Sequence, residues 1–236
     1  MEDRLGHPVF DGVRPVLRRL KEFSLAELNR LAEAAQVLTE SGKLVRFVAP
    51  AASDPYYEVQ VYETGRVQTR PDSRHDLFNA LCWLAFPATK ARINALHAAE
   101  IPKEGGRRGR RRDMLTIFDE GGAIVAGTPA VEALVRAACW RELFAARHAD
   151  FRIVVLGHAV LEQALAPYPG ITCKVVFADP SGDLDAQAAA ALPSIPSPRE
   201  LPPVPVFGYP GWLPESRDPA FYDDARYFRP APAAGR

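Results

Sequence analysis

The chain has 236 residues, 47% of them hydrophobic, and its 29 basic and 29 acidic residues cancel. That length and apolar content suffice for a substantial core. The zero formal charge excludes the general pull towards nucleic acid or an anionic membrane that a strongly basic protein exerts. No stretch approaches the roughly 18 consecutive apolar residues of a membrane span, and the N-terminal MEDRLGHPVFDGVRPVLRRL lacks the apolar segment of a signal peptide, so a soluble cytoplasmic protein with no membrane partner is expected.

The three cysteines, Cys82, Cys139 and Cys173, lie far apart in apolar runs, a pattern of reduced core thiols rather than of disulfides or a zinc site. After an irregular lead-in with a short basic piece at Val16 to Lys21, Ser24 is placed to cap a helix over SLAELNRLAEAAQ, with Glu27 in the capping-box position. Leu44 to Val48 reads as a strand. Tyr57 to Tyr62 alternates, Glu63-Thr64-Gly65 turns and Arg66 to Thr69 returns, which predicts a β-hairpin.

Arg70 to Glu100 is the densest meeting of aromatic, apolar and reactive side chains. Its period predicts two helices parted by Pro87, which suits a first turn, with Ser73 capping the first helix and Pro102 stopping the second after Ile101. At about 100° per residue, Leu77, Phe78, Leu81, Leu84 and Ala85 form the core side of the first helix, and His75, Asp76, Asn79 and Trp83 the other. Lys90, Asn94 and His97 share one stripe of the second. If the helices form a tight hairpin, these two polar stripes face each other.

The next segment, Glu104 to Asp113, holds five arginines and three glycines in ten residues and predicts an exposed loop. Guanidinium forks suit a small anionic ligand, whereas the lack of interleaved aromatics disfavours nucleic acid. A second hairpin is predicted over MLTIFDEGGAIVAG, with Met114 to Phe118 and Ala123 to Ala126 as strands and Asp119-Glu120 serving as turn residues. Thr128 and Pro129 then open a long helix, TPAVEALVRAACWRELFAARH. A strand at Phe151 to Leu156, a short helix at Ala159 to Ala166 and a strand at Ile171 to Ala178 follow, with Gly157-His158 at the first strand's end, where functional side chains gather. No further glycines complete a dinucleotide fingerprint, and no pattern specifies a cofactor or a metal.

Asp183 is placed to cap the alanine-rich Leu184 to Leu192. From Pro193 onward the chain carries half of its 22 prolines together with many aromatics, which predicts an arm laid over the domain rather than a disordered tail. The expected class is therefore α+β: helices packed with antiparallel β-hairpins, residues 1–192 forming one domain and 193–236 a Pro-rich arm on it.

HDLFNALCWLAFPATKARINALHAAE, RRDMLTIFDEGGAIVAG, Gly157-His158-Ala159 and finally PGW with DPAFYDDARYFRP together resemble the bacterial domain of unknown function 3025, in matching order from about Arg70 to Pro230. The resemblance implies one module spanning helices, strands and arm, and carries over no catalytic residue.

Two functional classes fit the residues. In the first, a hydrolase-like enzyme, His75 or His97 is the acid/base, Asp76 orients it, and Asn79, Asn94 or Arg112 holds a polarised substrate, with His158 a further candidate. A metal-dependent variant uses His75, Asp76, His97 and His158. In the second, a non-catalytic binding or assembly module recognises an anionic or protein partner through Arg107 to Arg112 or the aromatic arm.

Overall fold

The computed structural model describes residues 2–52, 54, 56–105, 107–145 and 151–230. In chain order the elements are α1 (Glu2–Leu5), α2 (Arg14–Leu17), α3 (Leu25–Ala34), β1 (Arg46–Val48), α4 (Tyr57–Thr64), β2 (Arg66–Gln68), α5 (Arg74–Ala85), α6 (Pro87–Glu100), α7 (Arg110–Gly121) and β3 (Gly122–Ala126). They continue with α8 (Pro129–Arg136), α9 (Trp140–Ala145), β4 (Arg152–Val155), α10 (His158–Gln163), β5 (Cys173–Ala178), α11 (Leu184–Ala191) and β6 (Pro203–Val204). The class is α+β, as expected.

Capping chemistry sets several helix starts. The Ser24 hydroxyl accepts from Glu27 N, Ser73 from Asp76 N, and Asp183 from Asp185 N and Ala186 N, each satisfying amides that have no partner within the helix. Pro87 occupies the first turn of α6, where the Asp185 carboxylate accepts from Ala88 N and Thr89 N at 2.8 Å each and so ties α6 to α11. Thr128 stands at the cap position of α8, but its side chain makes no capping bond.

Neither expected hairpin forms. Tyr57–Thr64 is helical despite its alternation, because Gly65 takes a left-handed φ of 76° that closes the helix and its carbonyl accepts from Arg46 N, passing the chain straight into β2 beside β1. The β1–β2 pair is parallel, Phe47 opposite Val67. Met114 to Phe118 lies within α7, since a helix starting at Arg110 buries Met114, Leu115 and Phe118 together, whereas a strand would send Leu115 to the opposite face. Only Ala123 to Ala126 is a strand, and it is buried along its whole length at the centre of a mixed sheet ordered β4-β3-β5-β6. In that sheet β3 runs antiparallel to β4 and parallel to β5.

The expected long helix after Thr128 is two, α8 and α9, broken where Ala138 adopts φ 51°; its last residues, 146–148, lie outside the described residues. The three cysteines are free thiols, with Cys82 and Cys173 buried and Cys139 only partly so, a correction to the expected core placement of all three.

Helix α5 stands between two apolar clusters. Phe78, Leu81 and Cys82 belong to the large one under the mixed sheet, and Ala80 and Trp83 to a smaller one with Leu28, Phe47, Val61 and Val67. Of the described part of the Pro-rich segment, Val206, Phe207, Trp212, Tyr222, Tyr227 and Phe228 enter the large cluster. The buried Tyr227 hydroxyl donates to Ile171 O at 2.8 Å and accepts from Phe207 N at 2.9 Å. Residues 231–236 of the expected arm lie outside the described residues. No helix among the described residues is long and apolar enough to cross a membrane.

The passage from β4 to α10 requires a glycine. A Cβ at Gly157 would stand 2.5 Å from Gly122 N and 2.6 Å from Glu120 O, inside contact distance of rigid backbone. With hydrogen there, Gly157 N donates to Gly122 O at 2.8 Å, and the strand end nests on the α7–β3 junction with His158 immediately after it. Gly157→Ala is expected to cost about 1–3 kcal/mol by overpacking and to move His158 away from α7. Urea unfolding and the His158 imidazole NMR signals check this, and an unchanged midpoint with unchanged signals contradicts it.

Candidate functional site

The polar faces of five helices meet in one place. From α5 come His75, Asp76 and Asn79, from α6 Lys90, Asn94 and His97, from α4 Tyr57 and Glu58, from α7 Arg112, Thr116, Asp119 and Glu120, and from α10 His158 and Glu162. Of these, Tyr57, Glu58, His75, Asp76, Asn79, His97, Thr116, Asp119, Glu120 and His158 line a cavity of about 400 Å³ that is open to solvent.

The centre is a buried cation. Lys90 Nζ donates to Asn79 Oδ1 at 2.7 Å and forms a short ion pair with Asp119, and it lies 5.7 Å from the centre of the Trp83 ring. Asn79 spends its amide N–H on the Tyr57 hydroxyl, 3.1 Å away. Burial pushes the Asp119 carboxyl up, but the Lys90 charge and hydrogen bond, with the nearby imidazoles when they carry protons, together outweigh it and leave the group below its ordinary value, ionised.

Two imidazoles continue the array. His158 Nδ1 stands 3.6 Å from Asp119 Oδ2, and His158 Nε2 meets His75 Nε2 at 3.0 Å, the rings edge to face. His75 Nδ1 reaches Glu162 Oε2 at 3.3 Å. His158 is buried, while the His75 side chain is 43% exposed and the Glu162 side chain 36%. The hydrogen-bonded line runs from solvent through Glu162 and His75 to His158, whose Nδ1 faces Asp119 without a hydrogen-bond partner.

On another part of the wall, Glu58 Oε2 accepts from Asn94 Nδ2 at 2.8 Å, and the same amide N donates to Glu58 O at 2.9 Å. Burial lifts the Glu58 carboxyl from 4.5 to about 7, against the pull of the Asn94 bond. The buried Asn94 Oδ1 has no hydrogen-bond partner.

Of the residues expected at a site, His75, Asp76, Asn79, His97 and His158 all line the cavity, whereas Asn94 and Arg112 are not among its lining residues. Their tasks differ from those expected. Asp76 does not orient a histidine: both its oxygens are taken by Arg70, through Nε at 2.7 Å and the terminal nitrogen at 2.9 Å. His97 accepts from Arg112 Nε at 3.2 Å, with its other nitrogen 3.9 Å from Glu58.

Arg112 was expected on an exposed loop and is instead buried on α7. Its guanidinium is consumed by His97, by Glu104 at 2.7 Å and by the Tyr56 hydroxyl at 2.5 Å. Gly106 of that loop lies outside the described residues. The four expected metal ligands do not converge as a donor set, and no group of three or more His, Cys, Asp or Glu side chains among the described residues is placed to hold a metal ion.

Sequence reasoning passed over Glu58, because Tyr57 to Tyr62 reads as a strand, and Asp119, because Asp-Glu-Gly-Gly reads as a turn. One signal was available: Arg112, Thr116 and Asp119 recur at i, i+4 and i+7, the spacing of one helix face.

Burial acts on the titrating groups in opposite senses, with a consequence for stability. The imidazoles of His97 and His158 are held at about 4 rather than 6.5, chiefly by burial, so the folded chain binds fewer protons than the unfolded chain between those values. Their contribution is fully present above pH 6.5 and is lost as pH falls towards 4. Glu58, raised from 4.5 to about 7, does the reverse, keeping a proton that the unfolded chain releases, so its contribution is lost as pH rises through that window. Glu58→Gln removes only the second effect. Its urea midpoint is expected to climb more steeply with pH between about 4.5 and 6.5 than that of the unsubstituted chain; parallel profiles contradict the raised carboxyl.

No curated protein and no solved structure matches the chain. A family match extends over residues 45–232, taking in α4, α5, α6, α7 and α10 and with them every group described above. The chain belongs to the family described as protein of unknown function DUF3025.

Proposed function

We propose that this chain is an enzyme that carries out acid–base chemistry on a small polar molecule in the five-helix cavity, with hydrolysis by an activated water as its reaction. The supporting observation is the pair of imidazoles, one buried and one accessible, set in line between a buried carboxylate and a surface carboxylate.

Hydrogen positions follow from the partners. Asp119 favours the proton of His158 on Nδ1, which leaves Nε2 as the acceptor for the His75 Nε2–H and leaves His75 Nδ1, beside Glu162, as the nitrogen that takes a proton from water. His75 is thus the accessible end that exchanges protons with a bound molecule. His158, kept neutral by burial, and Asp119 hold it in orientation and receive charge from it, the logic of a triad with an imidazole in the nucleophile's place.

Glu58 supplies the complementary function. With its carboxyl at about 7 it carries a proton for a leaving group near neutral pH, while the imidazole pair takes one from water. Neither serine nor cysteine lines the cavity among the described residues, and Cys82 is a buried thiol pushed up to about 12 that donates to Leu156 O. The Thr116 hydroxyl, which lines the cavity, accepts from Arg108 and has no imidazole partner, and we take water as the nucleophile.

The test is a panel of chromogenic esters, amides and glycosides assayed with the unsubstituted chain and with His158→Gln and His75→Gln. An activity that falls about a hundredfold or more in both variants, while their unfolding midpoints stay close to the original, is expected. Activity equal in all three proteins, or absent on every probe, overturns the reading.

A further inference from the structure

The hydrogen bonds around Lys90 leave one proton over at Tyr57. An ammonium only donates, so Asn79 turns Oδ1 to Lys90 Nζ and, with that, Nδ2 to the Tyr57 hydroxyl. The Tyr57 oxygen is therefore the acceptor in that contact. Its own O–H finds no acceptor among the described residues. Asn79 Nδ2 cannot accept, and the Trp83 indole N–H, which approaches the same oxygen and has no hydrogen-bond partner elsewhere, is likewise a donor.

The position of this hydroxyl gives the spare proton a use. Tyr57 lines the cavity together with Asn79, and the lining carboxyls of Glu58 and Asp119 stand near enough to act on the phenol. Burial above all pushes the phenol up, so it stays neutral and protonated at ordinary pH. A neutral O–H with its donor capacity unspent, held in a desolvated wall, gains most from an acceptor oxygen on which negative charge develops.

That requirement separates the common hydrolysable groups. Attack on an ester or amide places negative charge on the carbonyl oxygen, whereas a glycoside develops positive charge at its sugar ring, which an O–H donor does not stabilise. A phosphate ester brings anionic oxygens that call for cations. The cations beside this cavity are committed already, Lys90 to Asp119, Arg70 to Asp76 and Arg112 to Glu104.

We infer that the Tyr57 hydroxyl is a catalytic hydrogen-bond donor that holds the carbonyl oxygen of a neutral carboxylic ester or amide in this cavity. The inference rests on the reading of the cavity as a hydrolytic site and names its substrate class. Water adds to the carbonyl carbon as its proton passes to His75 Nδ1, and the electron pair of the C=O bond moves onto the oxygen held by Tyr57. When that pair returns, the bond to the alcohol or amine breaks and the leaving group takes the Glu58 proton. A carboxylic acid and the alcohol or amine depart, His75 gives its proton to solvent and Glu58 recovers one.

The experiment compares the full chain with Tyr57→Phe, which keeps the ring and removes the hydroxyl. The His75 and His158 imidazole NMR signals are followed while 2-pentanone, a neutral carbonyl compound, or 1-chlorobutane, of similar size without a strong acceptor, is added. The ketone is expected to shift both signals at about a fifth of the concentration that the chloride requires. That advantage disappears in Tyr57→Phe while the response to the chloride is unchanged, a selectivity that a packing role would not produce. With 4-nitrophenyl butyrate and 4-nitrobutyranilide, Tyr57→Phe is expected to lower kcat about a hundredfold and to change KM far less. Equal responses to the two ligands, a ketone advantage that survives the substitution, or an unchanged kcat overturns the inference.

Failure of catalysis is distinguishable. Ketone binding that depends on the Tyr57 hydroxyl, with no activity on any probe, leaves the carbonyl site standing and removes the enzyme. Hydrolysis of a glycoside or phosphate ester that is lost in His158→Gln and retained in Tyr57→Phe keeps the enzyme and overturns the inference.

Discussion

A buried ammonium cannot remain unpaired in an apolar interior, and Lys90 is surrounded on that condition. Trp83 lies beneath it, Asn79 takes one N–H and Asp119 takes its charge. Those two partners sit on α5 and α7, so one side chain of α6 fixes the approach of three helices. The order then spreads outward. Asn79, with its oxygen held by Lys90, turns its amide to Tyr57 on α4, and Asp119, held on one oxygen, leaves the other towards His158 on α10.

Much of this was legible where local chemistry decides structure. Ser73 and Pro87 mark the starts of α5 and α6 because amides without helical partners and a fixed proline φ act over three or four residues. The polar stripes of the two helices follow from helical period alone; His75, Asp76 and Asn79 of one and His97 of the other reach one cavity, while Lys90 and Asn94 do not line it. What was not legible depends on distant contacts. YEVQVYET and MLTIF alternate as strands do, and their intrinsic preference yields to tertiary packing and to Gly65 as a left-handed stop. The identity of a partner is also non-local: nothing near His75 indicates that its neighbours will be His158 and Glu162, or that Arg70 will occupy Asp76.

Gly157-His158 illustrates both limits. A glycine followed by histidine at a strand end was visible as a feature, but its reason lies in the backbone of residues 120–122, which the glycine touches. The close approach that demands glycine is the same one that lays the start of α10 against the end of α7. The backbone constraint and the meeting of His158 with Asp119 are therefore one structural fact, and the scaffold sets the imidazole's place before any hydrogen bond does.

A single cause accounts for the opposite behaviour of the two walls. Burial disfavours whichever form carries charge, and it therefore keeps His158 neutral by lowering its value and Glu58 protonated by raising its own. An imidazole free to accept and a carboxyl still holding its proton then coexist near neutral pH, a combination that the same residues in water do not provide at any pH, where glutamate ionises before histidine becomes neutral. Lys90 is the chief group that keeps Asp119 from following Glu58 upward, its charge and hydrogen bond joining the nearby imidazoles to outweigh burial at that carboxylate. The cation that organises the helices thereby also sorts the two acids, leaving one ionised to back the imidazoles and the other protonated across the cavity.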